Sequence, residues 1–194
     1  KGKDDLKKLA IEYFDLKRDY KEIQNTLSKI DENMEKSIKY GQGIRILNQN
    51  LWETIISFII SANNNIPRIQ KIIQRLSENF GKEIIFENEK YYTFPTPEEL
   101  KDVNVEKYRE LGLGFRDIRL YETTHAILDG KVDLKKLEQN PNTQEVREEL
   151  LSLSGVGPKV ADCILLFSTL KRFEVFPIDV WVNRVMNELY IHGD

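Results

Sequence analysis

The stretch that decides the fold reads Leu153-Ser154-Gly155-Val156-Gly157-Pro158-Lys159-Val160-Ala161-Asp162-Cys163. We expect one helix to end before Gly155, and a second to begin with Pro158 at its first position, where a missing N–H is harmless. Gly155 and Gly157 permit a turn that points successive backbone N–H groups to one side, and the following helix start adds unpaired donors. The hairpin therefore predicts a phosphate-binding site, with simple helix caps as the alternative for these glycines.

Lys159 stands at the second position of the helix that Pro158 begins. The helix dipole opposes a cation there, and Cys163 lies one turn further along the same face. A small thiol on that face indicates a partly closed pocket, where desolvation would favour a neutral, nucleophilic amine. The alternatives are an ordinary solvated lysine and a thiol that only packs.

A second motif, Phe176-Pro177-Ile178-Asp179-Val180-Trp181, follows the hairpin helix. Asp179 is placed as the N-cap of the last helix, a position that aspartate occupies often. A carboxylate held by helix amide groups stays ionised, and it could also face a developing positive charge. Together with Lys159 it predicts nucleophilic chemistry beside a nucleic-acid backbone, whereas alone it would be only a cap.

Composition limits the classes of protein that this chain can represent. Its 194 residues, 40% hydrophobic and 31% charged, suit a globular chain of one or two domains, and no apolar run would cross a bilayer. A single cysteine, Cys163, excludes an internal disulfide and a four-cysteine zinc or iron–sulfur site, and it fits a cytoplasmic location. The net charge of -3 argues against nucleic-acid binding by bulk charge, so such binding must be local.

The hydrophobic pattern predicts an all-α chain of about ten short helices. Residues 51–62 are apolar around the whole helix circumference, so we expect that helix to be central and buried. The only segments with a strand-like pattern, residues 83–86 and 91–94, are interpreted as lying on the surface. The other helices are expected within residues 4–40 and at 66–80, 97–102, 105–111, 115–128, 143–153, 158–167 and 180–190, with a linker containing one helical turn at 129–142. Thr143 is predicted to cap the helix that runs to Leu153.

The run Ser61-Ala-Asn-Asn-Asn-Ile-Pro-Arg68 follows the buried helix. Three consecutive amides exceed what a cap requires, and an extended amide could fill a gap in a base stack. Arg68 and Arg116 carry guanidinium forks that suit base edges, although most surface arginines are only solvated. Phe115, which follows Leu111-Gly-Leu-Gly114, could be a wedge between bases or else a core residue.

These four segments together resemble the 8-oxoguanine DNA glycosylase/AP lyases of the HhH-GPD superfamily. The hairpin with Lys159, the downstream Pro-Ile-Asp179, the run ending at Arg68 and Leu111-Gly-Leu-Gly-Phe-Arg116 carry the resemblance, which extends from Gly43 to the C-terminus. The resemblance implies the helical fold of that superfamily. The lysine implies its bifunctional branch, and the lack of a cysteine cluster excludes the iron–sulfur endonuclease III type.

The resemblance implies excision of 8-oxoguanine paired with cytosine, in base excision repair. Lys159 would attack C1′, expel the base and form a Schiff base that decays by β-elimination, while Asp179 would stabilise the positively charged sugar. Cys163 would line the base pocket. The remaining DNA contacts would come from hairpin N–H groups, a gap-filling amide, a wedge and two arginines at the orphaned cytosine, namely Gly155, Val156, Gly157, Asn63, Phe115, Arg68 and Arg116.

The resemblance also implies the partners. The substrate would be double-stranded DNA that contains oxidised guanine or an abasic site, and the protein would be a monomer without a cofactor or membrane contact. Carbonyl groups of the hairpin could hold a monovalent cation. Two alternatives stay open: a glycosylase of the same superfamily for another lesion, and a non-catalytic DNA-binding module in which Lys159 only touches phosphate.

The chain also departs from the family pattern. Trp181 stands two residues after Asp179, where the eukaryotic enzymes carry a phosphate-binding histidine. The N-terminal β-rich domain and the last C-terminal helices of the family are not recognisable, so we expect part of a longer protein. The expected segments are flanking helices at 1–47 that pack with the C-terminal helices, a central module ending in the hairpin at 48–157, and catalytic helices at 158–194.

Overall fold

The computed structural model describes residues 2–191, without the side chain of Lys3. Lys1, in the expected segment 1–47, and residues 192–194, in the expected segment 158–194, lie outside the described residues. The chain forms two compact units, one of residues 1–49 and 178–194 and the other of residues 50–177. The three-segment division stays a prediction.

Within residues 2–191 the fold is mostly helical, which confirms the predicted class. The elements in chain order are α1 (Lys3–Tyr13), α2 (Tyr20–Leu27), α3 (Glu32–Tyr40), α4 (Leu51–Ser61), α5 (Ile66–Phe80), β1 (Glu83–Phe86), β2 (Glu89–Tyr92), a 3-10 helix (Glu98–Leu100), α6 (Val105–Glu110), a second 3-10 helix (Gly114–Arg116), α7 (Asp117–Leu128), α8 (Leu134–Gln139), α9 (Thr143–Leu151), α10 (Pro158–Phe167) and α11 (Val180–Leu189).

The strands and one helix cap differ in detail from the prediction. β2 begins two residues earlier, because pairing of Phe86 with Glu89 leaves a two-residue turn whose residues both have positive φ. At the start of α9 the cap is Asn142, whose Oδ1 accepts hydrogen bonds from the Gln144 and Glu145 main-chain N–H groups. The hydroxyl of Thr143, the predicted cap, instead donates to the Glu174 carboxylate.

The second unit is built around α4, the helix predicted to be buried. Ile55, Ile56, Ile59 and Ile60 are each 0% exposed, and α4 packs against α5, α7 and α10. Full burial of one such side chain stabilises a fold by about 1.5–3 kcal/mol, so this helix anchors the unit. α9 also packs against α10, which places both helices of the hairpin on the same core.

The first unit contains α1, α2, α3 and α11. The Tyr20 hydroxyl donates to the Asp15 carboxylate and accepts a hydrogen bond from the Ile46 N–H at 2.9 Å, which ties α2 to the chain before α4. Tyr190 donates to Asp31 Oδ1 at 3.2 Å, which joins the end of α11 to the cap of α3. No helix in the described part of the chain is long and apolar enough to cross a membrane.

Candidate functional site

The hairpin between α9 and α10 forms as the glycine pattern predicts. The Leu153 N–H donates to the Leu150 carbonyl at 3.1 Å and so closes the end of α9. Gly157 is the N-cap of α10 and Pro158 is its first residue. The first bond of α10 runs from the Ala161 N–H to the Gly157 carbonyl at 2.9 Å.

The main-chain donors of this hairpin are only partly engaged. The Val156 N–H, one of the predicted phosphate ligands, donates to the Leu153 carbonyl at 3.1 Å, and the Val156 side chain is buried. The N–H groups of Gly155, Gly157, Lys159 and Val160 have no main-chain acceptor among residues 2–191. Four unpaired main-chain donors at one tight turn and the following helix start are groups of the kind that bind phosphate.

Gly155 is required by both the backbone and a neighbour. Its φ is +85°, a conformation that glycine adopts freely and other residues adopt at a cost. A Cβ added there would lie 2.9 Å from Cδ and 3.2 Å from Cβ of Arg119. The Arg119 side chain from α7 therefore packs directly against the hairpin.

Two polar contacts hold the hairpin in place, one from α7 and one between its own helices, α9 and α10. Thr123 on α7 donates to the Ser154 carbonyl at 2.9 Å. The Arg147 guanidinium on α9 binds the Asp162 carboxylate on α10 at 2.7 Å, and this hydrogen bond raises the pKa of Arg147. Both side chains of this pair are partly buried, and the pair joins the two helices on either side of the turn.

Lys159 projects from the first turn of α10 into an aromatic environment. Its side chain is exposed, and its Nζ lies 5.5 Å from the ring centroid of Phe58 on α4. Phe58 stacks on Phe167, with ring centroids 6.1 Å apart. Cys163, one turn beyond the lysine, is 3% exposed. The unit therefore brings the predicted nucleophile and the predicted pocket thiol to the same helix, beside an aromatic pair.

Asp179 caps α11, as its position in the sequence predicts. Its Oδ1 accepts a hydrogen bond from the Val182 N–H at 2.8 Å. This residue belongs to the first unit and Lys159 to the second, so its electrostatic role toward the lysine stays a prediction. Trp181, which follows in the first turn of α11, is 69% exposed.

The three consecutive asparagines have different structural roles. Asn64 donates through Nδ2 to the Ile60 carbonyl at 3.0 Å and so closes α4, while Asn65 accepts from the Arg68 N–H at 3.0 Å and so starts α5. Asn63 lies between the two helices with a φ of +50°, and its side chain is exposed. Capping thus accounts for two of the amides and leaves Asn63 facing outward.

Arg116 is a buried cation that holds this asparagine turn in place. It is 2% exposed, and its guanidinium donates to the carbonyls of Ala62 at 2.8 Å, Asn63 at 2.7 Å and Leu113 at 3.2 Å. Burial, followed by the positive charge of nearby arginines, lowers the pKa of Arg116 from its ordinary value. The structure therefore places this side chain on main-chain carbonyls, and its contact with an orphaned cytosine stays a prediction.

Phe115 stands on the surface beside this arginine. It is 54% exposed, and its ring centroid lies 4.2 Å from the Arg116 guanidinium carbon and 5.0 Å from that of Arg119. An exposed ring beside two cations excludes the core alternative, and the role of Phe115 as a wedge stays a prediction. Arg68 is also exposed, and its Nη2 donates to the Gly112 carbonyl at 3.1 Å.

Within the second unit, hydrogen bonds join the segment that contains Asn63 and Arg68 to the segment that contains Phe115 and Arg116. Sequence reasoning did not single out Arg119, which links the exposed phenylalanine to the hairpin. Its position four residues after Phe115 was the available signal, because that spacing puts two side chains on one helix face.

Comparison with known proteins gives a consistent family match. The model for the HhH-GPD superfamily base excision DNA repair protein matches residues 56–194. The model for the N-terminal domain of 8-oxoguanine DNA glycosylase matches residues 1–55. Together the two models cover the chain from end to end.

Individual relatives are similar over most of this chain. The N-glycosylase/DNA lyase of Saccharomyces cerevisiae is 42% identical over 160 residues, which are 77% of this chain and 42% of the yeast protein. The "Probable N-glycosylase/DNA lyase" of Methanothermobacter thermautotrophicus is 34% identical over 201 residues, at 93% of this chain and 63% of that protein. The chain therefore spans less than two thirds of either curated relative.

This chain is also similar, over its whole length, to a solved structure. It shows the 8-oxoguanine glycosylase/lyase of Clostridium acetobutylicum in complex with double-stranded DNA containing cytosine opposite 8-oxoguanine. That protein is 43% identical to this chain and superposes with a TM-score of 0.93, covering 100% of this chain and 66% of the other.

Proposed function

Since the chain belongs to the HhH-GPD superfamily of base excision DNA repair proteins, we propose that it is the core of a bifunctional DNA glycosylase/AP lyase. Its substrate is 8-oxoguanine opposite cytosine in double-stranded DNA. We further propose that it works as a monomer, without a cofactor, in the cytoplasm. The names of the similar glycosylase/lyases support the activity and the lesion.

One observation carries the proposal: the exposed amine of Lys159 lies in the first turn of the helix whose main-chain donors are open. Phosphate bound by those donors would hold a nucleotide within reach of a side chain that begins at the same turn. Fixing the reacting groups in this way replaces an unfavourable encounter by an oriented, intramolecular step. The main-chain donors that bind phosphate and the nucleophile are then parts of one structural element.

The chemistry needs an amine that is not protonated. Nζ attacks C1′ of the flipped-out nucleotide, and the glycosidic bond breaks with its electron pair leaving on the base, which takes up a proton. Nζ gives up one proton, and the C1′–O4′ bond opens with its electron pair leaving on O4′, which takes up that proton. This yields a protonated imine between Lys159 and the sugar. Loss of a C2′ proton then expels the 3′ phosphate. The Asp179 carboxylate stabilises the positive charge that develops on the sugar.

The remaining predicted residues supply the DNA side of the site. Asn63, uncommitted to capping, fills the space that the flipped base leaves, and Phe115 separates the neighbouring bases. Arg68 reads the orphaned cytosine through guanidinium donors that its one bond to Gly112 leaves unused. Arg116 reads the same base if its fork is released from the carbonyls, and otherwise acts by positioning Asn63.

Borohydride trapping tests the mechanism, because it reduces the imine to a stable covalent adduct. We expect the wild-type chain to be trapped on an 8-oxoguanine:cytosine duplex, and Lys159→Gln to lower trapping by several orders of magnitude. The matched control is Lys135→Gln, which removes the same charge from an exposed position on α8 and should be trapped normally.

Undiminished trapping of Lys159→Gln would contradict the proposal. Trapping on abasic DNA and on another damaged base, but not on 8-oxoguanine, would assign the chain to the same superfamily with a different lesion. DNA binding without any trapping by the wild-type chain would favour the non-catalytic module.

A further inference from the structure

A groove of about 450 Å³ lies along α5, where α5 faces the loop before Phe115, and its lining includes no hairpin residue. Its lining includes Arg68, Lys71 and Arg75 from α5 and Gly112 from the loop. Among the described residues, the lining contains three cations and no carboxylate. Because the chain as a whole is acidic, such a concentration of positive charge is local and needs its own explanation.

The three cations share one face of α5. Their spacings of three and four residues place them one above the other on a helix surface. With a rise of about 1.5 Å per residue, the row extends over roughly 10 Å along the helix axis. That length corresponds to roughly three 3.4 Å steps of one DNA strand.

Two of the cations are held in place by the loop opposite. Arg68 Nη2 donates to the Gly112 carbonyl at 3.1 Å, and Arg75 Nη1 donates to the Leu111 carbonyl at 3.2 Å. A guanidinium has five N–H donors, so one such bond orients it and leaves donors for a ligand. The orientation is present before binding, so a ligand that arrives there restricts less side-chain freedom.

Gly112 is suited to this arrangement. Its φ is +95°, and a Cβ added there would lie 3.2 Å from Nη1 of Arg75. A larger residue would therefore strain the backbone and crowd the guanidinium at the groove. The loop that carries the exposed phenylalanine thus also forms one wall of the basic groove.

Lys71 is the third cation and differs from the other two. Its side chain is exposed, and within residues 2–191 it forms no ion pair or hydrogen bond. Exposed lysines on this chain often have an acidic neighbour, as Lys39 has Glu35 at 2.7 Å. Between two arginines, Lys71 adds to a charge that no carboxylate in the groove lining offsets.

We propose that this groove binds the backbone phosphate groups of the DNA strand opposite the lesion. The proposal rests on the proposed function, because the strand is assigned through Arg68, which lies at the start of the row and is assigned to the orphaned base. Lys71 and Arg75 then follow the backbone of that strand away from the orphaned base. They contribute affinity that is independent of sequence and lesion.

The salt dependence of binding to an undamaged duplex tests the groove. Removal of one cation–phosphate pair should make the slope of log K against log salt shallower by about 0.9. We expect Lys71→Gln to reduce the slope by that amount and to weaken binding about equally on damaged and undamaged duplexes. Arg75→Gln should act in the same direction. Lys135→Gln, with the same change in net charge, should leave slope and affinity unchanged. A Lys71→Gln slope equal to that of wild type would overturn the proposal.

Neutral methylphosphonate linkages then identify the strand. Placed within three nucleotides of the orphaned base, they should weaken wild-type binding when they are in the opposite strand and weaken Lys71→Gln less. Equal weakening of both proteins, or an effect confined to the lesion strand, would overturn the assignment. Because the salt slope uses undamaged DNA and trapping uses Lys159, failure of the groove and failure of the proposed function are distinguishable.

Discussion

Arg116→Ala should destabilise the second unit strongly, although Arg116 lies among predicted DNA contacts. The side chain is 2% exposed and gives hydrogen bonds to three main-chain carbonyls, those of Ala62, Asn63 and Leu113. The guanidinium makes four hydrogen bonds to these three carbonyls, two of them to Ala62. At a net of about 1 kcal/mol per bond, losing them costs about 3–4 kcal/mol.

Part of this cost is offset. Burial of the guanidinium lowers its pKa, so the folded state carries a penalty for the charge that alanine removes. This penalty offsets part of the lost hydrogen bonding, so the net destabilisation is about 2–3 kcal/mol. For a chain of this size the melting temperature should fall by about 5–10 °C.

Thermal unfolding followed by circular dichroism measures this difference, and Arg68→Ala is the matched control. Arg68 is exposed and gives one side-chain hydrogen bond, to the Gly112 carbonyl, so its removal should cost less than about 1 kcal/mol. Both variants should also be compared on lesions opposite cytosine and adenine, where a bidentate contact is worth about 1–3 kcal/mol of preference. Equal melting temperatures for the two variants would refute the positioning role of Arg116.

Three further variants test single residues. Asp179→Asn should keep the helix cap, since asparagine caps as well as aspartate, but should slow single-turnover base excision strongly; a normal rate in a less stable protein would make Asp179 only structural. Gly155→Ala should cost about 1–3 kcal/mol in unfolding experiments and weaken DNA binding, because φ is +85° and Arg119 must move; unchanged binding would argue against the hairpin as the phosphate site. Burial raises the pKa of Tyr108 to about 12, so the folded state retains a proton that the unfolded state loses above pH 10, and stability should fall between pH 10 and 12. The wild type should lose about 1.4 kcal/mol more than Tyr108→Phe by pH 11 in denaturant titrations, and parallel curves for the two proteins would contradict this.

Local rules of sequence predicted most of the fold. Periodic apolar residues located α4 and α5, and Pro158 and Asp179 marked two helix starts, because these signals act over one or two turns. The cap of α9 was misplaced by one residue, since Asn142 and Thr143 are both good caps and the choice depends on distant Glu174. Sequence pattern alone cannot choose between two adjacent cap residues when a tertiary contact determines which of them caps the helix.

The site was less predictable than the fold. The motifs singled out Phe115 and Asn63 as candidates, but only the structure decided between an exposed and a core position for Phe115. The buried position of Arg116, the contact of Arg119 with the hairpin and the groove beside Lys71 were not recognisable from the sequence, because each depends on residues far apart in the chain. An arginine in a sequence gives no sign of whether its partner will be a carbonyl, an aromatic ring or a nucleic acid.

The left-handed backbone at Asn63 limits which residues evolution can place there. At a φ of +50° glycine, asparagine and aspartate are the most readily tolerated residues, and the other types fold at a penalty. Glycine would leave no side chain to enter a base stack, and aspartate would bring a negative charge toward a polyanion. For the proposed role of Asn63 in the base stack, asparagine alone among the three meets the demands of chain geometry and of DNA, and that role would place two unrelated selective pressures on one residue.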